Sequence, residues 1–402
     1  MLTMSGGVTT RSRDSRFRRV IGRYSGRQPG PLLVCMGGMH GNEPAGVQAL
    51  ERVLKALRKE KPGFCGDFVG LAGNLAALEI EARFLDHDLN RAWANHPQAD
   101  FESEQVAVQL GREALEKEEL LGLMTRIFQE RKGEAHFMDM HTSSAEGVPF
   151  AVMGDTLRNR RFAKIFPVPT ILGLEEQVEG SMLEFLNNQG WVTLGFEGGQ
   201  HDAPTSVDHH EAAIWLALAA AGNLPEEHPR VRDSYRRLRL ACLGLPRLLE
   251  VRYRHGILPG DGFRMEPGFV NFQRVHKTQV LAKDNDGEIQ AYYHARMLLP
   301  LYQGAGDDGF FLGKEVNPFW LRLSAFLRWM RLSGLAPYLP GVKAHPWKPD
   351  TYMINRRIAR WLVVEIFHLL GFRKRRPEFG KMVVSRRRYD MRSPDLPKPA
   401  EA

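Results

Sequence analysis

Residues 31–46 read PLLVCMGGMHGNEPAG, and this stretch decides the fold class. Residues 31–36 are wholly apolar, which is typical of a short strand buried on both faces of a sheet. A glycine-rich turn follows, and Pro44 then opens an amphipathic stretch that runs to about residue 59. Because proline suits the first turn of a helix, the pattern predicts a strand, a tight turn and a helix in direct succession.

The same alternation continues through the first half of the chain. Further strand-like runs occur at 68–72, 136–140, 150–153 and 191–196, and helical patterns occur at 102–131 and 208–221. Strands that alternate with helices favour an α/β fold in which a mainly parallel sheet is covered by helices on both faces.

Two changes in composition divide the chain into three predicted parts. A polar, proline-containing break at 223–232 ends an α/β domain over residues 17–228. Strand-length runs separated by turn sequences predict a small β-rich domain over residues 229–316. The remainder, residues 317–402, combines Arg, Trp and Leu, and it predicts a basic, helical C-terminal extension.

The extension carries two amphipathic stretches. Residues 319–332 place Arg328 and Arg331 off a helical face that comprises Phe319, Trp320, Leu323, Phe326, Leu327 and Met330. Residues 355–376 repeat the theme, with arginines on either side of an apolar run. We expect a helical extension that packs on the β-rich domain with its arginines in solvent. Peripheral contact with an anionic membrane is the second interpretation, and nucleic-acid binding is the weakest of the three.

The overall composition excludes several classes of protein. The chain has 402 residues, of which 43% are hydrophobic and 25% charged, so it can bury a core and is not collagen-like, coiled-coil or disordered. Three widely separated cysteines argue against a disulfide scaffold and predict a reducing, cytoplasmic location. No apolar run reaches the roughly 18 residues that a membrane span needs.

The positive charge lies at the two ends of the chain. Residues 1–27 hold seven Arg and one Asp, and residues 316–402 hold 18 Lys and Arg against six Asp and Glu. Since the net charge is +8, the central residues 28–315 carry −10. A high isoelectric point therefore says little about the central body, although the ends could contact an anionic surface.

His40 and Glu43 form an H-x-x-E pair in the turn after the first buried strand. Imidazole nitrogen and carboxylate oxygen both suit Zn²⁺, and an offset of three residues on a tight turn can bring them to one ion. His141, at the end of a later strand, is the best candidate for a third ligand, because ligand sites in open α/β sheets lie beyond the carboxyl ends of strands. Taken alone, the pair is better explained by a structural His40 and a surface Glu43, and it gains weight only from the motifs that accompany it.

Two further polar groups accompany the H-x-x-E pair. The segment RFLDHDLNRAW at 83–93 contains Arg83, Asp88, Asn90 and Arg91. Arginine offers fixed donors that pair with carboxylates in a two-point fork. Glu197 ends a strand and precedes two glycines, which let another group approach closely. Taken alone, the segment 83–93 could also be a solvated loop with a helix cap at Asp88 or Asn90. Glu197 alone could also be an acid that protects a sheet edge.

Taken in order, GGMHGNEPAG, the Gly73-Asn74 pair, R-x4-DLNR, DMH and FEGG resemble the succinylglutamate desuccinylase/aspartoacylase family. The resemblance runs from about residue 17 to 316 and leaves the later residues without a counterpart. It implies a carboxypeptidase-like catalytic fold and zinc-dependent hydrolysis of the amide bond of an N-acyl amino acid or a similar small acidic amide. It also implies site residues: zinc ligands His40, Glu43 and His141, catalytic carboxylate Glu197, Arg83 near the scissile carbonyl, and Asn90 with Arg91 on the substrate carboxylate.

Other residues near these motifs have weaker assignments. Asp139 is expected to orient His141, because a metal-bound histidine usually needs such a partner. His136 should face the other side of the sheet, since it lies an odd number of residues from His141. His209 and His210 adjoin a predicted helix, so we expect them to lie at the surface or to cap the helix. His87 is a weak alternative as a metal ligand.

Two other functions remain open at this point. A zinc metallocarboxypeptidase acting on peptides would carry a similar site. The two enzymes differ in whether the β-rich domain shuts peptides out of that site. A non-catalytic membrane- or nucleic-acid-associated protein that keeps this fold is the second alternative, against which the complete set of ligands, base and arginines argues.

Overall fold

The computed structural model describes residues 16–93, 111–178, 180–355, 363–378 and 381–396. These residues form strands β1 (Val20–Ser25), β2 (Gln28–Gly37), β3 (Cys65–Ala72), β4 (Ala135–Ser143), β5 (Phe150–Val152), β6 (Thr170–Leu172), β7 (Val192–Gln200), β8 (Leu248–Gly256), β9 (Arg264–Met265), β10 (Arg274–Val275), β11 (Val280–Asp284), β12 (Gly287–Gln290), β13 (Ala295–Leu298), β14 (Asp308–Glu315), β15 (Val342–Ala344), β16 (Thr351–Ile354), β17 (Phe372–Glu378) and β18 (Lys381–Arg386).

Helices lie between these strands. They are α1 (Ala45–Glu60), α2 (Leu75–Glu79), α3 (Glu113–Gln129), α4 (Leu157–Ala163), α5 (Met182–Asn188), α6 (Pro204–Ala221), α7 (Pro229–Ala241), α8 (Pro318–Trp329) and α9 (Val363–Leu369). Short 3₁₀ helices occur at Leu89–Arg91, Leu174–Glu176 and Leu332–Tyr338. Of the helix predicted at 102–131, residues 102–110 lie outside the described residues, and α3 lies within the rest.

The main sheet runs in the order β1-β3-β2-β4-β7-β5-β6-β8-β14-β13-β10. Its centre, β3-β2-β4-β7, is parallel, whereas β1 and β5 run antiparallel to their neighbours β3 and β7. This confirms the predicted mixed, mainly parallel sheet. The carboxyl ends of β2, β4 and β7 therefore meet at one edge of the sheet, where ligand sites of open α/β folds form.

Strand β2 is buried on both faces, as its unbroken apolar run predicts. Leu33 and Cys35 belong to the core beneath α1 and α6. The alternate residues Leu32, Val34 and Met36 belong to the opposite core beneath α3 and α5. Because successive side chains of a strand point to opposite faces, a wholly apolar strand needs a helix layer on each side.

The segment predicted as β-rich continues the main sheet. Strands β8, β14, β13 and β10 extend it at one edge, and β9, β11 and β12 form a separate three-stranded sheet. The division of the chain at residue 228 stays a prediction, because the sheet passes from one side of it to the other without a break.

The prediction of a helical extension is wrong in part, because the extension contains a sheet as well as α8 and α9. Strands β15, β16, β18 and β17 form an antiparallel sheet that, with α9 and the 3₁₀ helix Leu332–Tyr338, encloses a small core of its own. Of the stretch 355–376, residues 356–362 lie outside the described residues, and the rest divides between α9 and β17. Gly371 has φ +88°, a conformation that ends the helix and turns the chain into β17.

Helix α8 presents to the protein the face that the sequence was expected to leave in solvent. Arg328 and Ser324 are 3% and 2% exposed, whereas Phe319, Trp320, Phe326 and Met330 are about half exposed. The expectation that this helix packs by its apolar face is wrong because Arg328 forms ion pairs with Asp155 and Asp390. Within the described residues, no helix combines the length and apolar character needed to cross a membrane.

Candidate active site

The seven residues predicted for the site line one pocket at the carboxyl edge of the main sheet. His40 and Glu43 lie in the turn between β2 and α1, and His141 and Glu197 lie near the ends of β4 and β7. The register pairs His141 with Glu197 directly across the two strands. Residues separated by up to about 150 positions thus share a single pocket, although their individual roles stay predictions.

The turn that carries His40 depends on two glycines. Gly38 has φ +71°, a value that other residues adopt only with strain. A Cβ atom on Gly41 would lie 2.1 Å from the carbonyl carbon of Ala77, so the chain could not pass there with a side chain. The N–H of Gly41 donates to the carbonyl oxygen of Arg83 at 3.2 Å, which ties this turn to the loop that carries the arginine.

Glu43 brings the two histidines together. Its Oε1 lies 2.9 Å from Nδ1 of His40, and its Oε2 lies 3.1 Å from Nδ1 of His141. The atoms that these three residues can offer to a metal all lie within 4.8 Å of one another. Ligand atoms bound to one tetrahedral Zn²⁺ at ~2.1 Å lie about 3.4 Å apart, so a small adjustment of this cluster would accommodate the ion.

The second nitrogen of each histidine faces a carboxylate. Nε2 of His40 lies 3.1 Å from Oδ1 of Asp88, and Nε2 of His141 lies 2.9 Å from Oδ2 of Asp139. Metal-binding histidines usually have such partners, which fix the ring and its tautomer so that the other nitrogen is presented to the ion. The arrangement therefore fits a metal held by the Nδ1 atoms.

The electrostatics of the cluster favour a positive charge at its centre. Burial opposes ionisation of Glu43, but His40 and His141 outweigh it and hold the pKa of this carboxyl well below its usual range. Burial likewise opposes a charge on His141, and Asp139 and Glu43 nevertheless raise its pKa well above the usual value. A cation bound between these side chains would balance the negative charge of the carboxylates in the same way as the proton on His141 does.

Glu197 differs from the acids that surround the histidines. Its Oε2 atom is buried and has no hydrogen-bond partner among the described residues. Burial raises its pKa to about 7, while His141 acts in the opposite direction. A carboxylate poised near neutral pH can both accept and return a proton.

The three other predicted residues are held by contacts of their own. Nη2 of Arg83 donates to Asp88 at 3.1 Å, and its Nη1 lies 3.6 Å from Glu43. Oδ1 of Asn90 accepts from the N–H of Met182 at 3.1 Å, which leaves its NH₂ group on the side of His141. Nη2 of Arg91 donates to Asp308 at 3.0 Å.

Two acids organise these groups: Asp88, to which the sequence analysis gave no role in the site, and Asp308, which it missed. Asp88 was weighed as a helix cap, and it does accept from the N–H of Asn90 at 2.8 Å, but it also holds His40 and Arg83. Asp308 at the start of β14 pairs with both Arg91 and Arg254. The position of Asp88 within DLNR could have indicated a role in the site, whereas no motif surrounds Asp308.

Among the residues that the structure describes, no other histidine joins the cluster. His210 is fully buried and donates through Nε2 to the carbonyl oxygen of His141 at 2.9 Å, so the predicted surface role is wrong for this residue. Its ring lies against Gly198, where a Cβ atom would approach within 2.7 Å, as the glycines after Glu197 suggested. His136 lies on the opposite face against Phe162, as predicted, and His87 is exposed.

Comparisons with known proteins agree with this geometry. Residues 29–212 match the model of the succinylglutamate desuccinylase/aspartoacylase catalytic domain. This part of the chain is similar to the catalytic domain of that family. The resemblance predicted from the sequence motifs is therefore confirmed.

A succinylglutamate desuccinylase from Pseudomonas paraeruginosa is 28% identical over 118 residues. The match covers 29% of this chain and about a third of that relative's length (32%).

Solved structures share the fold over a longer span. A succinylglutamate desuccinylase/aspartoacylase from Rhodobacter sphaeroides aligns with a TM-score of 0.53 and 18% identity, over 72% of this chain and 87% of that one. The product-bound ectoine utilization protein EutE (DoeB) from Ruegeria pomeroyi aligns with a TM-score of 0.51 and 18% identity, over 71% and 86%. At these identities the likeness concerns the fold.

Proposed function

We propose that this protein is a zinc-dependent amidohydrolase that cleaves the amide bond of an N-acyl amino acid or a similar small acidic amide. One observation carries the proposal. The ligand atoms of His40, Glu43 and His141 converge within 4.8 Å, in the same pocket as the unpartnered carboxylate of Glu197. The catalytic-domain match and the desuccinylase relative support the same reaction class.

The proposed mechanism assigns a separate task to each group. A zinc ion held by His40, Glu43 and His141 would lower the pKa of a bound water and polarise the amide carbonyl. Glu197 takes a proton from the attacking water and delivers it to the departing amine. Arg83 donates to the oxyanion that develops on the carbonyl oxygen, an interaction whose loss typically costs ~3–4 kcal/mol of barrier. Asn90 and Arg91 hold the carboxylate of the amino acid and so fix the amide above the metal.

The β-rich part of the chain favours a small substrate over a peptide. Leu299, Pro300, Leu301 and Gln303 from the connection between β13 and β14 line the same pocket as the histidines. Nε2 of His201 lies 3.2 Å from Oε1 of Gln303, and Asn42 in the H-x-x-E turn donates to the same oxygen at 3.1 Å. These contacts join the connection to the edge of the site, where an extended peptide would need free passage.

The test combines metal analysis with a panel of substrates. The purified protein should contain about one zinc per chain, and a chelator should abolish activity that added Zn²⁺ restores. Among N-acetyl amino acids, N-succinyl amino acids and dipeptides, we expect hydrolysis of an N-acyl class and not of dipeptides. Hydrolysis of dipeptides alone would establish the carboxypeptidase alternative, and a zinc-loaded protein inactive on the whole panel would refute the proposed reaction.

We further propose a cytoplasmic location with peripheral lipid contact. Cys35, Cys65 and Cys242 are all free thiols, which suits a reducing compartment. The exposed aromatic face of α8, with Arg322 and Arg331 beside it, is of the kind that binds an anionic membrane surface.

A further inference from the structure

The pocket that holds the histidines is also lined by two arginines from the C-terminal extension. Arg373 lies near the start of β17, and Arg387 directly follows β18. Their side chains are only 8% and 7% exposed. The extension therefore reaches the active site, although it lies outside the part of the chain that matches the catalytic-domain model.

Each arginine is paired with an acid that lines the pocket or adjoins it. Nη1 of Arg387 lies 2.8 Å from Glu175, and its Nη2 lies 3.1 Å from Glu176. Nη1 of Arg373 lies 2.7 Å from Glu184 on α5. Since buried ion pairs have demanding geometry, these contacts fix the guanidinium groups firmly.

The extension is docked by further buried pairs. Arg328 of α8 joins Asp155, which follows β5, to Asp390 of the extension. His368 of α9 lies 3.1 Å from Glu176 and 3.5 Å from Glu250. These contacts span three elements of the extension, so the position of the two arginines is set by a folded unit and not by a loose tail.

Several polar atoms in this part of the pocket lack partners. The Nε atoms of Arg373 and Arg387 and the Oε2 atom of Glu175 are buried with no hydrogen bond among the described residues. Glu175 itself is about 10% exposed, and burial raises the pKa of its carboxyl. The same pocket is lined by the apolar side chains of Val152, Met153, Leu174, Val178 and Leu183, and by the polar side chains of Ser181, Asn187 and Thr193.

The same wall is connected to the substrate-binding residues. Helix α5, which carries Glu184, also provides the N–H of Met182 that holds the amide of Asn90. The N–H of Trp93 donates to the carbonyl oxygen of Gly180 at 2.9 Å, just before this helix. The wall that the arginines contact is thus continuous with the DLNR segment.

We propose that the C-terminal extension is part of the active site, and that Arg373 and Arg387 are specificity-determining residues at the end of the pocket that receives the acyl group. This inference rests on the proposed amidohydrolase function. An acyl chain that ends in a carboxyl or amide group offers partners to these Nε–H donors and to the Glu175 oxygen, which a small rotation of the side chains would turn from their buried positions toward the pocket. A purely hydrocarbon chain of the same length would leave these buried groups unpaired, which is strongly unfavourable.

The experiment measures kcat/KM for three derivatives of one amino acid that carry butanoyl, succinyl or 3-carbamoylpropanoyl groups. These acyl chains have the same length and differ only at the end. We expect the wild-type protein to prefer the two polar-ended substrates, and Arg387→Met and Arg373→Met each to reduce that preference at least about tenfold. The ratio between substrates is independent of the fraction of folded enzyme, so a purely structural defect would leave it unchanged.

The matched control is Arg388→Met, because Arg388 is the exposed neighbour of Arg387. It should keep the wild-type ratio. Arg387→Lys provides a milder change if Arg387→Met does not fold, since it keeps the charge near Glu175 and removes the forked donor set.

The outcomes separate the two proposals. A wild-type protein that hydrolyses all three substrates with equal efficiency, or variants that retain the wild-type preference, would overturn the role of the extension while leaving the amidohydrolase intact. A zinc-loaded wild-type protein that hydrolyses no N-acyl amino acid would overturn both.

Discussion

Glu43 is the residue on which the geometry of the site depends most. Its two carboxylate oxygens face Nδ1 of His40 and Nδ1 of His141, and its Oε2 also accepts from the N–H of Thr142 at 2.9 Å. One side chain therefore connects the turn after β2 to the end of β4. Replacing Glu43 by Ala would remove both a proposed metal ligand and the contacts that hold these two strand ends together.

Glu197→Gln tests the proposed base at the level of a single atom. We expect kcat to fall by about 10²–10⁴-fold because the amide cannot accept the proton, while zinc content stays unchanged because Glu197 is not among the ligands. Steady-state kinetics and metal analysis on the same preparation measure both quantities. The control is Glu51→Gln on the exposed side of α1, and an active Glu197→Gln enzyme would show that the base lies elsewhere.

Arg91→Ala tests the proposed carboxylate clamp. We expect mainly a higher KM for carboxylate-bearing substrates, of about tenfold or more, because a charged hydrogen bond to the substrate is lost. Asp308→Asn should raise KM in the same direction and to a smaller extent, since Asp308 holds the Arg91 guanidinium at 3.0 Å. If KM stays at the wild-type value in both variants, Arg91 does not bind the substrate.

At the level of elements, the carboxyl ends of β2, β4 and β7 lie together because the parallel register aligns them. In the turn after β2, a side chain at position 41 would collide with the backbone of Ala77, so only glycine fits there. This arrangement explains why motifs distant in sequence form one site. The docking of α8 and α9 has a different basis, namely buried arginine and histidine pairs with acids of the catalytic part.

The docking of α9 should depend on pH through His368. Burial opposes its charge, but Glu176 and Glu250 raise its pKa to about 9. A group whose pKa is higher in the folded state stabilises that state fully below its unfolded pKa of about 6.5, and the contribution is lost as pH rises through the folded value. We therefore expect the free energy of unfolding to decrease by about 1–3 kcal/mol between pH 6.5 and pH 9.

Urea unfolding of the wild-type protein and of His368→Gln at the two pH values measures this effect. The variant should be less stable than wild type at pH 6.5 and should lose less stability on going to pH 9. The exposed His294 provides the control, since His294→Gln should follow the wild-type curve. Parallel curves for wild type and His368→Gln would contradict the assignment.

At the level of the whole molecule, the exposed side of α8 is an aromatic surface that no other part of the described chain covers. Phe326 is 53% and Trp329 68% exposed on this helix, and Trp347 nearby in sequence is 75% exposed. Several exposed aromatic side chains on one basic extension are typical of a surface that meets lipid.

Vesicle pelleting tests this surface with the full-length protein. We expect binding to anionic vesicles that decreases with salt, and a decrease of about tenfold in the partition coefficient for Phe326→Ser/Trp329→Ser, because two apolar side chains no longer enter the interface. Leu258→Ser/Tyr292→Ser serves as the control, as both residues are exposed on the β-rich part. Equal pelleting of the wild type and the α8 variant would exclude a membrane role for this face.

The sequence alone determined the central sheet and predicted seven residues that line one pocket. The apolar run of β2, the glycine turn and Pro44 are local signals, and each acts through backbone sterics or burial that needs no distant partner. His40, Glu43 and His141 could be grouped because the carboxyl ends of parallel strands meet at one edge, and the resemblance to the family added Glu197 to them.

Only the tertiary structure decided the orientation of α8, the four-stranded sheet of the extension and the entry of Arg373 and Arg387 into the pocket. An arginine is ordinarily solvated, and nothing near Arg328 in the sequence shows that Asp155 and Asp390 will meet it. Ion pairs between residues far apart in the chain depend on where every intervening element packs, so periodicity within a single helix could not reveal which of its faces would be buried.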